Sequence, residues 1–210
     1  MVGKPLSDNK EDNKEKDNEK NMTYSEREHY TPGPANIAHV QKEGEKWVLV
    51  LVKELRHAPE KVWQALIDPA QLREWAPFDA EGSLGTVGAT VKLTTVGAPE
   101  LRITETKVTR ADAPRMLEYT WGQFNMRWEL ESHDGGTRLT LWTNIGRRFL
   151  SMGAAGWHIC FDVLDRYLSG QPLGRIVGPD AMTFGGWQQL NADYAKQFGI
   201  EASDWPPQKS

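Results

Sequence analysis

The stretch GAAGWHICFDVLDRYLSG, residues 153–170, decides the fold of this chain of 210 residues. It predicts an α-helix of about four turns that ends at Gly170, because glycine readily adopts the left-handed conformation that closes helices. Large apolar side chains spread widely around this helix and leave a polar stripe that we expect to face solvent, formed by His158, Asp162, Asp165 and Arg166. A helix with so broad an apolar surface must pack against an equally broad apolar surface, and a sheet that wraps around the helix would supply one.

The residues before this helix alternate between apolar and polar side chains in short runs, which predicts antiparallel β-strands. The runs are TVKLTTV, LRITETKV, RMLEYTW, FNMRWELE and TRLTLWTN, and HDGG at residues 133–136 predicts a hairpin between the last two. The same alternation predicts which side chains face inward and which face outward. The inward set is Leu117, Tyr119, Trp121, Met126, Trp128, Leu130, Leu139 and Leu141, and the outward set is Arg127, Glu129, Arg138 and Thr140.

An earlier run, WVLVLVKEL at residues 47–55, predicts a strand that is buried on both faces. Two short helices should follow it, since Pro59 suits the first turn of one, and Asp68 and Pro69 suit the cap and first position of the next. The sequence therefore predicts an α+β fold in which an antiparallel sheet wraps around a long C-terminal helix.

The ends of the chain differ from this central part. Residues 1–44 carry almost no large apolar side chains and mix Lys, Glu, Asp and Asn, so we predict a disordered charged tail. Residues 45–170 should form the folded domain. Residues 171–210 are predicted to be a connector and an amphipathic helix, GWQQLNADYAKQF, that packs on the outside of the domain.

Composition excludes several classes of function. A net charge of −4 and an isoelectric point near 5.8 argue against a nucleic-acid partner. The single cysteine, Cys160, rules out an intramolecular disulfide and a Cys-rich metal site, and the five histidines lack metal-ligand spacing. The sequence shows no run long and apolar enough for membrane insertion and no secretory signal, so we expect a cytoplasmic protein.

Three segments resemble one family in the right order and spacing. They are APEKVWQALIDPAQLREW at residues 58–75, RLTLWTNIG at residues 138–146, and the helix at residues 153–170. They resemble the SRPBCC superfamily, which has the helix-grip or START-like fold. Within it they are most similar to the branch named for the C-terminal domain of the activator of heat-shock-protein-90 ATPase. The resemblance extends over residues 47–170.

The resemblance implies a deep apolar cavity between the sheet and the long helix, which other members of the superfamily use for lipids, sterols, polyketides and plant hormones. We therefore expect binding of a small hydrophobic molecule, without covalent catalysis and without a cofactor or metal. A dry, empty cavity of about 300 Å³ would cost about 7 kcal/mol, so such a cavity should hold water or a ligand. The predicted lining is Trp75, Phe78, Leu93, Ile103, Glu105, Tyr119, Trp121, Met126, Trp128, Trp157 and Phe161.

Two other functions remain open from the sequence. A co-chaperone that stimulates a heat-shock-protein ATPase in the stress response would use the basic pair Arg147 and Arg148, and its partner would be that chaperone. An enzyme of the cyclase or hydrolase type would use Glu105, Tyr119 or His158 as an acid or base. The expected assembly is a monomer or a homodimer.

Overall fold

The computed structural model of the protein describes residues 27–202, in which antiparallel β-strands wrap around one long helix. None of the helices in this part of the chain is both long and apolar enough to cross a membrane. The strands are β1 (Ala38–Glu43), β2 (Lys46–Leu55), β3 (Phe78–Ala80), β4 (Thr90–Thr95), β5 (Arg102–Lys107), β6 (Arg110–Asp112), β7 (Met116–Trp121), β8 (Phe124–His133) and β9 (Gly136–Asn144). The helices are α1 (Pro59–Ile67), α2 (Pro69–Trp75), α3 (Leu150–Leu168), α4 (Pro179–Thr183) and α5 (Trp187–Phe198), and a 3-10 turn spans Arg147–Phe149.

The strands form two sheets that meet along one line. The larger sheet has the order β1-β2-β9-β8-β7-β6, and the smaller has the order β3-β4-β5. Where they meet, the backbone N–H of Thr120 in β7 donates to Oγ1 of Thr106 in β5 at 2.9 Å. The wrapped antiparallel sheet and the long helix confirm the helix-grip fold that the sequence predicts.

Helix α3 lies against the inner face of the larger sheet and buries the residues that the sequence assigned to its apolar surface. Ile159, Phe161 and Leu164 have no measurable exposure. The sheet faces this helix through the inward set of β7, β8 and β9, whose members are buried apart from the partly exposed Trp121. Burial of this apolar area is the main source of stability for the domain.

Helices α1 and α2 begin where the sequence predicts. Pro59 occupies the first turn of α1, and the carboxylate of Asp68 accepts the backbone N–H of Ala70 at 2.8 Å, which caps α2. Trp63 and Leu72 are buried, so the two helices close one end of the sheet against α3.

Two glycines of α3 differ in the space around them, and this difference is testable. A Cβ at Gly156 would meet no heavy atom within 4 Å, whereas a Cβ at Gly153 would overlap Cδ1 of Ile145. Gly156→Ala should therefore raise the free energy of unfolding by about 0.5–1 kcal/mol, because alanine restricts the unfolded chain and favours the helix. Gly153→Ala should gain less. Urea denaturation measures both, and an equal gain at the two sites would contradict the packing described here.

The prediction of a disordered tail is wrong for its last part. Residues 38–43 form β1, which pairs antiparallel with β2, and the ring of Tyr30 is 8% exposed. The sequence AHVQKE of β1 has little apolar pattern, so the alternation rule does not detect it. This edge strand is ordered by its backbone hydrogen bonds to β2. Residues 1–26 of the predicted tail lie outside the described residues.

The segment after α3 folds back onto the domain. Arg175 fixes the connector, because its guanidinium lies 2.6 Å from the carboxylate of Asp79 and donates to the carbonyl groups of Leu72 and Arg73. The predicted amphipathic helix is α5, and it packs along α3. The short helix α4 was not predicted.

Candidate functional site

Most of the side chains predicted to line a cavity form one group, which we name the aromatic cluster. Its members come from α2, β3, β7, β8 and α3, which the fold brings to one interior between the sheets and the long helix. The aromatic cluster consists of Trp75, Phe78, Tyr119, Trp121, Trp128, Trp157 and Phe161. Leu93 and Met126 are buried in the same core.

Trp128 lies at the centre of the aromatic cluster, where its ring contacts three others at right angles or tilted. The ring centroids lie 6.0 Å from Trp75, 5.5 Å from Trp157 and 6.0 Å from Phe161. Trp157 also lies 6.2 Å from Trp121. Edge-to-face contacts at these distances are favourable, so the rings occupy with one another the interior in which the sequence predicts a cavity.

The polar atoms of the aromatic cluster bind one another or the backbone. Nε1 of Trp128 donates to the hydroxyl of Tyr119 at 3.2 Å, and Nε1 of Trp121 donates to Oγ1 of Thr95 at 3.0 Å. Burial raises the pKa of Tyr119, although its hydrogen bond with Trp128 acts in the opposite direction. A ligand in this interior would meet apolar ring surface and not free donors.

Two predicted lining residues, Ile103 and Glu105, do not face the interior. Ile103 is 52% exposed and Glu105 is exposed, so their assignment to the lining is wrong. The physical reason is the register of β4 and β5: Leu93 faces inward, and its partner across the ladder is Thr104. Because side chains alternate along a strand, Ile103 and Glu105 point to the other side.

One end of the aromatic cluster reaches solvent. Phe124 at the start of β8 lies 5.9 Å from Trp121, ring centroid to ring centroid, and both rings are partly exposed. A depression of about 560 Å³ opens there, and we name it the rim depression. It is lined by Glu45, Lys46, Trp47, Gln123, Phe124, Asn144, Ile145, Gly146 and Arg147.

The apolar residues of the rim depression were not predicted as site residues. Trp47, Phe124 and Ile145 come from the ends of β2 and β8 and from the link after β9, and all three are partly exposed. Their sequence signal is weak, since each stands at a turn where the alternation of the strands stops. The exposed pair Arg147 and Arg148 follows directly in the 3-10 turn.

A second group of polar side chains lies under α5, and we name it the polar network. Nδ1 of His158 lies 2.9 Å from the hydroxyl of Tyr194, and its Nε2 lies 3.3 Å from Oδ2 of Asp162. Asp162 also binds the ammonium of Lys53 at 2.8 Å and accepts from the hydroxyl of Tyr30 at 2.9 Å. His158 is 1% exposed, so the predicted solvent-facing stripe is wrong at this residue.

One residue of the sequence, Lys53, indicated the polar network. Lys53 stands in an inward position of β2, two residues from the buried Leu51 and Leu55, where an unpaired ammonium would be costly. A buried acidic partner was therefore required. Its identity depended on how α3 lies across the sheet, which the strand pattern does not specify.

Electrostatics make Asp162 the anion of the polar network. Burial by itself would raise the pKa of this carboxyl group, but the adjacent His158 imidazole and Lys53 ammonium hold it well below its usual range. Burial, followed by the negative charge of Asp162, raises the pKa of Tyr30. Burial likewise raises the pKa of Tyr194, so both hydroxyl groups serve as neutral hydrogen-bonding groups.

The three acid–base candidates lie in separate surroundings. Glu105 is exposed opposite Lys92 on β4, Tyr119 lies in the aromatic cluster, and His158 lies in the polar network. Burial raises the pKa of the Cys160 thiol to about 12, so this side chain is a buried apolar group and not a thiolate nucleophile. The described residues contain no group of three or more His, Cys, Asp or Glu side chains that could hold a metal ion.

Comparison with known proteins identifies relatives. The model of the family described as activator of Hsp90 ATPase homolog 1-like protein matches residues 56–169. CalU16 from Micromonospora echinospora has a similar crystal structure, with a TM-score of 0.56 and 18% identity over 76% of this chain and 94% of CalU16. A conserved protein of unknown function from Enterococcus faecalis aligns with a TM-score of 0.55 and 16% identity over 86% of this chain and 98% of its own.

A third similar structure is DynU16, a putative protein in the dynemicin biosynthetic locus. It aligns with a TM-score of 0.51 and 18% identity over 60% of this chain and 49% of DynU16. No curated protein matches the sequence significantly. At these identities the structural relatives establish a shared fold.

Proposed function

Because the chain belongs to the family of activator of Hsp90 ATPase homolog 1-like proteins, we propose that it binds a small, flat, largely apolar molecule. The molecule would lie in the rim depression, at the starts of β2 and β8 and the link after β9. The chemistry is non-covalent, since the acid–base candidates are dispersed and the thiol is buried.

One observation carries this proposal: an unbroken series of ring contacts leads from the rim depression to the centre of the core. Phe124 contacts Trp121 at 5.9 Å, Trp121 contacts Trp157 at 6.2 Å, and Trp157 contacts Trp128 at 5.5 Å. A flat molecule that stacks on the outer rings would extend this series, and its burial would contribute about 25 cal/mol per Å² of apolar area.

The size of the rim depression supports the same proposal. About 560 Å³ lies within the range of about 300–1,000 Å³ that small-molecule sites occupy. Deeper entry requires Trp121 to move away from Trp157 and to release its hydrogen bond to Thr95. We therefore place the ligand at the outer rings first, and movement of Trp121 would admit a longer molecule.

Phe124→Ser tests this assignment. The substitution should weaken binding of an apolar aromatic ligand such as 2-naphthalenemethanol at least tenfold, because it removes the outermost ring of the series. It should alter stability little, since Phe124 is already partly exposed. Isothermal titration calorimetry measures the affinity, and thermal melting measures the stability.

Val87→Ser is the matched control, because Val87 is an apolar residue that is 59% exposed and lies outside the rim depression. Its affinity should equal that of the parent protein. The proposal also expects thermal stabilisation by at least one class among fatty acids, sterols and aromatic polyketides. Absence of any shift, together with no binding of 2-naphthalenemethanol, would falsify it.

A further inference from the structure

The rim depression carries positive charge as well as apolar rings. The guanidinium of Arg147 lies 5.8 Å from the ring centroid of Trp47, and that of Arg148 lies 4.5 Å from the ring centroid of Phe149. Lys46 lines the same depression. A cation–π contact with Trp47 engages the face of the Arg147 guanidinium, whose N–H groups point outward in its plane and can donate to a ligand.

Two of the residues that line the rim depression, Lys46 and Arg147, are basic. Glu45 is the one acidic residue among those that line the rim depression. Within residues 27–202, neither Lys46 nor Arg147 has a carboxylate within ion-pair distance, whereas Arg127 has two and Arg138 and Arg175 each have one. The protein as a whole has a net charge of −4, whereas the residues that line the rim depression have a positive net charge.

We infer that the ligand of this site is an amphipathic carboxylate. Its flat apolar part lies against Trp47, Phe124 and Ile145, and its carboxylate binds Arg147 at the rim, with Lys46 contributing to the local potential. This inference rests on the proposed function and names the ligand class. A planar guanidinium matches a carboxylate with two parallel N–H···O bonds, so Arg147 would select a carboxylate over a neutral polar group.

A matched pair of probes tests the inference by calorimetry. 2-Naphthoate and 2-naphthalenemethanol share the same bicyclic ring and differ in the charged group. The protein should bind the carboxylate about tenfold more tightly than the alcohol, equivalent to about 1.4 kcal/mol. Arg147→Gln should remove this preference while it changes the affinity for the alcohol less than twofold.

Arg56→Gln is the matched control. Arg56 is an exposed arginine that follows β2 at Leu55, whereas the rim depression lies at the Lys46 end of the same strand, about 30 Å away. This variant should keep the preference for the carboxylate. Thermal melting of both variants shows that they remain folded.

The outcomes distinguish failure of the carboxylate inference from failure of the proposed function. Equal affinities of the parent protein for both probes, unchanged in Arg147→Gln, overturn the carboxylate inference and leave the proposed function standing. No binding of either probe overturns both. Sedimentation with phosphatidylserine vesicles that depends on Arg147, without naphthoate binding, would assign the cations to a membrane surface and overturn the inference.

Discussion

Trp128→Ala should lower the free energy of unfolding by about 3–5 kcal/mol, which is the range for removal of a large buried aromatic side chain. Trp128 has no measurable exposure and contacts three rings of the aromatic cluster. Its removal leaves a cavity between the sheet and α3 and deprives the Tyr119 hydroxyl of its donor. For a domain with a typical stability of about 5–15 kcal/mol, this is a large share.

Urea denaturation at neutral pH measures this loss, and two further variants identify its source. Trp128→Phe keeps a ring but loses the N–H, so it should cost about 1–2 kcal/mol. Trp142→Ala removes a partly exposed indole from the outer face of β9, where it contacts Arg127 and His39, and should cost about 1 kcal/mol. Equal losses for the alanine variants of Trp128 and Trp142 would contradict a core centred on Trp128.

Asp162→Asn should lower the free energy of unfolding by about 2–3 kcal/mol at pH 7. The substitution leaves Lys53 without its anion in a site where the lysine side chain is 18% exposed. Breaking a fully buried ion pair costs about 3–5 kcal/mol, and the partial exposure here reduces that figure. Lys53→Met removes the cation and keeps the apolar stem, so it should cost less than Asp162→Asn.

The pH dependence of this contribution has a defined sign. The pKa of Asp162 lies lower in the folded protein than in the unfolded chain, where an Asp titrates near about 3.9. The stabilisation is therefore fully present above the unfolded value and is lost as the pH falls towards the folded value. A carbon-13 NMR titration of the Asp162 carboxyl group should show a midpoint well below the ordinary value for an Asp, whereas in Lys53→Met the midpoint should move up towards that value.

A midpoint near the ordinary value in the parent protein would show that the polar network does not stabilise the carboxylate. Tyr194→Phe provides a separate check, because it removes the hydroxyl that joins α5 to His158 and to the backbone of Asn36. Its expected cost is about 1–2 kcal/mol, without a change in the Asp162 midpoint comparable to that of Lys53→Met.

Much of the aromatic cluster was predictable because the side-chain period of a strand is local, whereas the apolar residues of the rim depression were not predicted. Tyr119, Trp121 and Trp128 face inward in the structure as the alternation of β7 and β8 predicts. The same reasoning failed at Ile103 and Glu105, because the face that an isolated run turns inward depends on its register with β4. Local pattern alone contains no information about that register.

The sequence by itself determined the helix-grip fold, the starts of α1 and α2, and the aromatic composition of the interior, since periodicity, caps and apolar spacing act over neighbouring residues. It also located α3, although this helix begins at Leu150, three residues before the predicted start. Only the tertiary structure decided that those rings pack against one another, that β1 joins the sheet, and that Lys53, His158 and Tyr194 meet around Asp162. The contacts of Lys53 with Asp162 and of His158 with Tyr194 join residues far apart in the chain. They depend on distances and angles between elements, which arise only when the whole chain packs around α3.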